Sequence, residues 1–370
     1  MNILTQILAY LCAPLVLLSG WVGLRGGITE SPKPYKNVIL MIGDGMGENT
    51  LKATLADDPA PLKMETMKVR GQSKTNSWPG FIVTDSAAGA TALASGIRNI
   101  NGEIGVFALD FLQWVKTPAN LAELAVKNGR LAGVVTTDST SGATPAAFSA
   151  HTLSRDSEED ISNDQLACDL TLIWGAGSKS VTKEKAEKNG YSFITTRSQM
   201  LALRAGGRSF AQFSSMSKIE DPKLTPTLKE MTKAAIDMLD DDPDGFFLMV
   251  EGAHIDKYAH SGDLENAIRH VREFDAAIEY AMDFAASHPG TLVLVTADHE
   301  TGGVTLKNGK YVTTTGGHTW ANVPVFVNAA DAGFENGKAW KNREIGVQLG
   351  RILGFGPDVF PTPILPRISK

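Results

Sequence analysis

The sequence predicts an α/β protein: a doubly wound, mostly parallel central sheet with helices on both faces. Three observations carry this. Short apolar runs recur along the chain, helix-like segments fall between them, and no internal repeat or low-complexity tract breaks the alternation. Uninterrupted apolar runs suit strands buried on both faces, and alternating β and α gives a parallel sheet.

The elements follow in order. Asn37–Ile42 (N-V-I-L-M-I) reads as the first buried strand, and the apolar run up to Val83 as a strand leading into a helix of small residues from Ala87. Thr117-Pro118 reads as the N-cap and first position of a helix that Gly129 ends. Leu131–Val135 and Leu170–Trp174 read as strands. Thr225-Pro226 opens a helix reaching about Leu239, Phe246–Val250 is a strand, and Leu264–Ala286 is a long amphipathic helix. Leu292–Thr296 and Val323–Val327 complete the set of expected parallel strands. The length allows one large α/β domain or two smaller ones.

Composition narrows the function. With 370 residues, 43% hydrophobic and 21% charged, the chain is globular and too long for a small disulfide scaffold. A net charge of −6 supplies no basic field for nucleic acid, so an anionic substrate would be attracted by local metals, Arg or Lys. Residues 3–22 are apolar and uncharged, which suits a signal peptide or a membrane anchor within residues 1–30. Export to the periplasm or the extracellular space is expected. Cys12 lies in that segment, so after cleavage Cys168 stands alone; neither an internal disulfide nor a Cys-based zinc site is possible.

Ligands of doubly wound sheets bind at the carboxyl ends of strands, so chemistry should follow each apolar run. Asp44 follows the first run between glycines, as a turn former or a metal ligand. Glu251 ends the Phe246–Val250 run, and Asp256 and His260 follow at i, i+4, on one helical face. Asp298-His299 follows Leu292–Thr296, and Gly316-Gly317-His318 precedes Val323. His270 and His288 read as helix-surface residues, and His254 is ambiguous. Singly, each acid or His is more often structural. Together they are enough for more than one divalent cation: two His with a carboxylate suit zinc, and an oxygen-rich set suits magnesium.

Two further stretches join them. In V-T-D-S-A-A-G-A-T-A, Asp85 and Ser86 stand where strand turns to helix. They cap the helix, or they place a serine oxygen at an anion-attracting helix end. Two cations about 4 Å apart would activate such an oxygen, which tips the balance toward a nucleophile. Thr144 caps a helix or binds metal through its hydroxyl, and Arg155 has the forked guanidinium that grips phosphate.

The motifs N-V-I-L-M-I-G-D-G-M-G, T-D-S-A-A-G-A-T-A, A-T-P-A-A-F-S-A-H-T-L-S-R, V-E-G-A-H-I-D-K-Y-A-H, T-A-D-H-E-T-G-G and G-G-H-T together resemble the alkaline phosphatase family, in family order from residue 37 to about 327. The resemblance implies one catalytic domain of alkaline-phosphatase-like fold over residues 31–370, and hydrolysis of small-molecule phosphate monoesters at alkaline pH. It implies Ser86 as the nucleophile that forms a phosphoserine. It implies one zinc on Asp256, His260 and His318, serving the leaving oxygen and later the attacking water, and a second on Asp44, Asp298 and His299, activating Ser86. Asp44 would bridge to a magnesium held with Thr144 and Glu251. Arg155 would clamp the phosphate with Asp85 orienting it, and Lys257 would touch phosphate through water.

This chain also departs from the family. Gly142 stands where many members carry an acid or His near the magnesium, which leaves the third metal open. His254 is not a family ligand and is expected at the rim or in solvent. The short connection from His299 to His318 implies a minimal crown, with monomer and homodimer both open. Two other readings compete. A phosphodiesterase or nucleotide pyrophosphatase of the same superfamily would favour Thr over Ser86 and lack Arg155. A non-catalytic periplasmic metal-binding protein would need neither residue. Sulfatase and G-x-S-x-G signatures are absent around Ser86.

Overall fold

The computed structural model describes residues 35–109, 114–214 and 225–362; the expected leader at residues 1–30 lies outside them. The main sheet has ten strands. They are β1 (Asn37–Gly43), β2 (Val69–Lys74), β3 (Leu131–Ser139), β4 (Leu172–Ala176), β5 (Tyr191–Ile194), β6 (Arg208–Phe213), β7 (Phe246–Gly252), β8 (Thr291–Thr296), β9 (Val323–Val327) and β10 (Ala339–Lys341). The helices used below are α1 (Glu48–Asp57), α2 (Ser86–Ser95), α3 (Leu121–Lys127), α4 (Ala143–Ala147), α5 (Glu158–Ala167), α6 (Leu228–Leu239), α7 (His254–His260), α8 (Leu264–Ser287) and α9 (Asn342–Ile352).

Strand order is β10-β2-β9-β8-β1-β7-β3-β4-β6-β5, with β1 at the centre between β7 and β8, parallel to both. Alternate residues of β1 feed two cores. Val38, Leu40 and Ile42 pack in one with Leu93, Leu121, Phe148 and Ile345 from α2, α3, the end of α4 and α9. Ile39 and Met41 pack in the other with Leu51, Met231 and Phe274 from α1, α6 and α8. Every residue of β1 and β7 is buried, which is why both read as unbroken apolar runs, and each large aliphatic side chain so buried contributes roughly 1.5–3 kcal/mol. By contrast β2 alternates buried and exposed, so its sequence V-R-G-Q-S-K shows no such run.

The register sets up the site. Thr296, Ile42, Glu251 and Thr136 lie in one row across β8, β1, β7 and β3. The residues just beyond that row include Asp44, Asp138, Asp298 and His299.

Four expectations are corrected. Val323–Val327 runs antiparallel to both neighbours, β8 and β2, instead of parallel. His318 stays at the carboxyl edge, so the chain enters β9 from that edge and must run away from it. The run ending at Val83 is not a strand; it makes only an isolated bridge, Ser77 to Ile82, and exposes Phe81 and Ile82. The helix expected from Thr117-Pro118 begins at Leu121, where Asn120 and Glu123 form a capping box, and the one expected from Thr225-Pro226 begins after Thr227, boxed with Glu230. In both, the reciprocal cap satisfies two backbone N–H groups, which a Thr-Pro start does not. Finally, His270 and His254 are buried, not on the surface or at a rim; their rings pack 5.2 Å apart, with Tyr258 stacked on His270.

Between His299 and His318 the chain forms only the short ladder Glu300–Thr301 with His318–Thr319 and the hairpin Thr305–Lys307 with Lys310–Val312. Among the described residues no helix is long and apolar enough to cross a membrane.

Candidate active site

Sequence-distant residues converge in two groups. The ligand atoms of Asp256, His260 and His318 lie within 4.8 Å of one another, and so do those of Asp44, Asp298 and His299. Asp256 and His260 come from one face of α7, one turn apart, with Asp256 Oδ1 3.3 Å from His260 Nε2. Asp44 follows β1, and Asp298 and His299 follow β8. All three of these are buried, and Gly45 lets their loop close on α7. Its φ is +71°, and a Cβ there would meet the Asp256 backbone at 2.8 Å.

Each histidine is tied through Nδ1 and presents Nε2. The Nδ1–H of His260 donates to the Gly316 carbonyl at 2.7 Å, and that of His318 to the Thr84 carbonyl at 2.8 Å. Thr301 donates its hydroxyl to Asp256 Oδ1 at 2.5 Å, so its oxygen accepts from His299 Nδ1 at 3.1 Å. A carbonyl only accepts, so these bonds fix the tautomer and leave Nε2 as a lone pair, the usual outer support of a metal-ligating His. Two such atoms, His260 Nε2 and His318 Nε2, face each other 3.1 Å apart. Lone pairs held at that distance repel unless a cation or a proton lies between them.

The acids carry the same message. Asp44 Oδ1, Asp298 Oδ2 and Thr144 Oγ1 are buried without a hydrogen bond. Such atoms cost about 1–3 kcal/mol each unless something else satisfies them. Burial first, then the charges of Asp256, Asp298 and Glu251, hold Asp44 well above the usual carboxylate range. Burial first, then Asp138, pushes Glu251 up to about 8, although Thr136 donates a hydrogen bond to it. Burial also raises Asp298, and burial with His318 nearby holds His299 far below the usual imidazole value. Crowded buried carboxylates and neutral imidazoles fit divalent cations: N/O sets suit zinc, and Glu251 with Thr144 and Asp44 offers oxygen alone.

The Asp-Ser joint divides the two roles that the sequence left open. Asp85 is the N-cap of α2, its Oδ1 accepting from Ala88 N at 2.9 Å. Its Oδ2 accepts from Gly102 N at 2.9 Å and from Arg155 Nη1 at 3.3 Å. Burial lowers the Arg155 pKa, but Asp85 and Asp44 outweigh it and leave the guanidinium more firmly charged than usual. Ser86, freed from capping, lies at the first turn with Oγ 3.1 Å from His299 Nε2. The small residues of α2 let it lie against the ligand loop: a Cβ on Gly89 would come within 2.8 Å of the Asp298 carbonyl.

All twelve candidate residues therefore sit at this edge. Lys257, on the exposed face of α7, ion-pairs with Asp138. His254 does not join them: it is buried against His270, and burial, then Lys257, pushes it down to about 4. Sequence reasoning missed Thr136, Asp138 and Thr301. The apolar run stops at Val135, whereas β3 continues through Thr136 and Asp138 to Ser139. Carrying the strand-end rule four residues further finds both. Thr301 lies within T-A-D-H-E-T-G-G, where nothing in the local pattern marks it as a ligand support.

Comparison with known proteins agrees with this geometry. The family profile described as "Alkaline phosphatase" matches residues 35–172 and 174–343. Alkaline phosphatase 4 of Bacillus subtilis is 36% identical over 300 residues, covering 73% of this chain. The chain spans 62% of that relative's length. Streptomycin-6-phosphate phosphatase of Streptomyces griseus is 32% identical over 357 residues, 78% of each chain. The structure of alkaline phosphatase from the Antarctic bacterium TAB5 superposes with a TM-score of 0.74 at 32% identity, covering 88% of this chain and 99% of that one. This chain belongs to the alkaline phosphatase family.

Proposed function

We propose that this protein hydrolyses phosphate monoesters to an alcohol and inorganic phosphate through a phosphoserine on Ser86. One observation carries the reading: Ser86 Oγ stands beside His299, a member of one of the two groups of metal-ligand atoms, and Asp85, which precedes Ser86, ion-pairs with Arg155. Asp256, His260 and His318 would hold one zinc, Asp44, Asp298 and His299 a second, and Asp44, Thr144 and Glu251 a magnesium. When bound, these cations lower the pKa of an attacking oxygen and stabilise a leaving one.

The chain's own residues do the rest. Ser86 Oγ forms the bond to phosphorus as the ester bond to the leaving alcohol breaks, and water later cleaves the phosphoserine to restore the hydroxyl. Arg155 binds two phosphate oxygens through its fork, and Asp85 keeps that fork oriented. The Ser86 oxygen sits at a helix N-terminus, where free N–H groups favour the negative charge of phosphate. Small phosphate monoesters are the substrates this site suits, and export to the periplasm or beyond is the compartment the apolar segment 3–22 suits.

The test is phosphate release from an aryl phosphate at alkaline pH, before and after chelation and after zinc and magnesium are returned. Turnover that chelation abolishes and the metals restore is expected. A folded, metal-loaded protein that releases no phosphate would overturn the reading.

A further inference from the structure

We propose that Asp138 is a positioning residue of this site: lodged where Gly142 has no side chain, its carboxylate holds Lys257 toward the phosphate and supplies an outer carboxylate to the cation site at Glu251 and Thr144. The identity of the phosphate and the cation rests on the phosphatase reading above; the placement of Asp138 rests on geometry.

Several independent contacts converge on it. Asp138 comes from the carboxyl end of β3 and ion-pairs with Lys257 of α7, the neighbour of Asp256. The Lys257 side chain is 45% exposed, so without a partner its flexible stem would sample many rotamers. A Cβ on Gly142 would come within 2.7 Å of Asp138 Oδ2 and 3.0 Å of the Ser139 carbonyl, so the space beside Gly142 is already filled by that carboxylate. Thr136 links Asp138 to the cation site. Its hydroxyl oxygen accepts from Asp138 N at 2.8 Å while the same hydroxyl donates to Glu251. Beside them, Thr144 is 1% exposed and its Oγ1 is buried without a hydrogen bond. Asp138 thus joins a cationic side chain of α7 to the Thr136–Glu251 pair of the cation site. A carboxylate supplied from position 138 does the work of one that position 142 cannot offer.

The experiment uses the full chain loaded with zinc. Calorimetric titrations with Mg²⁺ and with inorganic phosphate compare the parent with Asp138→Asn, Lys257→Ala, their double variant, Asp138→Ala and Asp138→Ala/Gly142→Asp. Outer partners of metal ligands typically control about 10–100-fold in affinity, so Asp138→Asn should weaken Mg²⁺ by about 10-fold or more while zinc content is unchanged. It should also weaken phosphate several-fold, an effect that vanishes in the Lys257→Ala background because the two residues act as one unit. Moving the carboxylate in Asp138→Ala/Gly142→Asp should restore most of the Mg²⁺ affinity that Asp138→Ala loses. Asp138→Asn keeps shape and volume, so it reports even if the alanine variant does not fold.

Affinities for both ligands within twofold of the parent in Asp138→Asn would overturn the inference. So would additive phosphate losses in the double variant, or a parent that binds neither ligand. A parent that cleaves aryl phosphate while Asp138→Asn titrates unchanged defeats this inference alone. A parent that binds both ligands but cleaves nothing defeats the phosphatase reading, and the same titrations still decide the role of Asp138.

Discussion

Ser86 Oγ lies 3.1 Å from His299 Nε2, although 213 residues separate them in sequence. The contact exists because α2 opens at the carboxyl edge of the sheet and β8 delivers His299 to the same edge. The capping duty at that helix falls on Asp85, which leaves the serine oxygen available for chemistry.

Removing that oxygen should abolish turnover without emptying the site. In Ser86→Ala, aryl phosphate hydrolysis should fall by about 10³-fold or more, as for other covalent nucleophiles. Zinc content by elemental analysis should match the parent, since no ligand is lost. Retained turnover would place the nucleophile elsewhere.

Asp85 has two separable jobs. Asp85→Ala should lose about 1 kcal/mol of stability in urea denaturation through the missing cap. Asp85→Asn should keep the cap, because Asn is equally good there. Both variants should bind inorganic phosphate more weakly, since neither holds Arg155 by charge. If Asp85→Asn binds phosphate as the parent does, the orienting role is wrong.

Gly89 is a packing requirement of the metal loop. In Gly89→Ala the added methyl would meet the Asp298 carbonyl at 2.8 Å and its Cβ at 3.1 Å. Displacing that ligand should weaken zinc binding by about 10-fold in competition with a chromogenic chelator, an effect of the size seen for other supporting residues. An unchanged zinc affinity would show that the loop yields freely.

The metal-free protein should lose stability as pH rises. Glu251 has a folded-state pKa of about 8 against an ordinary 4.5, and Asp44 and Asp298 are shifted the same way. The folded state therefore binds more protons than the unfolded one between these values, and a single such group costs about 1.4 kcal/mol per pH unit in that window. Chelated protein should be most resistant to urea near pH 5 and less so at pH 8. The gain on adding zinc and magnesium should grow over the same interval, because the cations bind the ionised carboxylates. A flat stability curve for chelated protein would contradict this.

The buried strand runs and the α/β alternation are readable from residue order alone. These are local or periodic properties, legible because β1 and β7 are buried on both faces and must be apolar throughout. The candidate site was legible for the same reason: Asp44, Glu251, Asp256, Asp298 and His299 interrupt or follow apolar runs abruptly. Their assignment into sets came from family motifs, not from spacing. Tertiary structure alone decided the rest. The antiparallel entry of β9 depends on where His318 is anchored, through Thr84 and far from it in sequence. The capping boxes at Asn120 and Thr227 displaced Thr-Pro starts that were locally plausible. Burial of His254 and His270 is a matter of two helices meeting, which neither helix announces. The pairing of Asp138 with Lys257 across 119 residues, in the space beside Gly142, is of the same kind. Contacts between elements depend on register and on which side chain fills a shared volume, and a linear pattern carries no record of either.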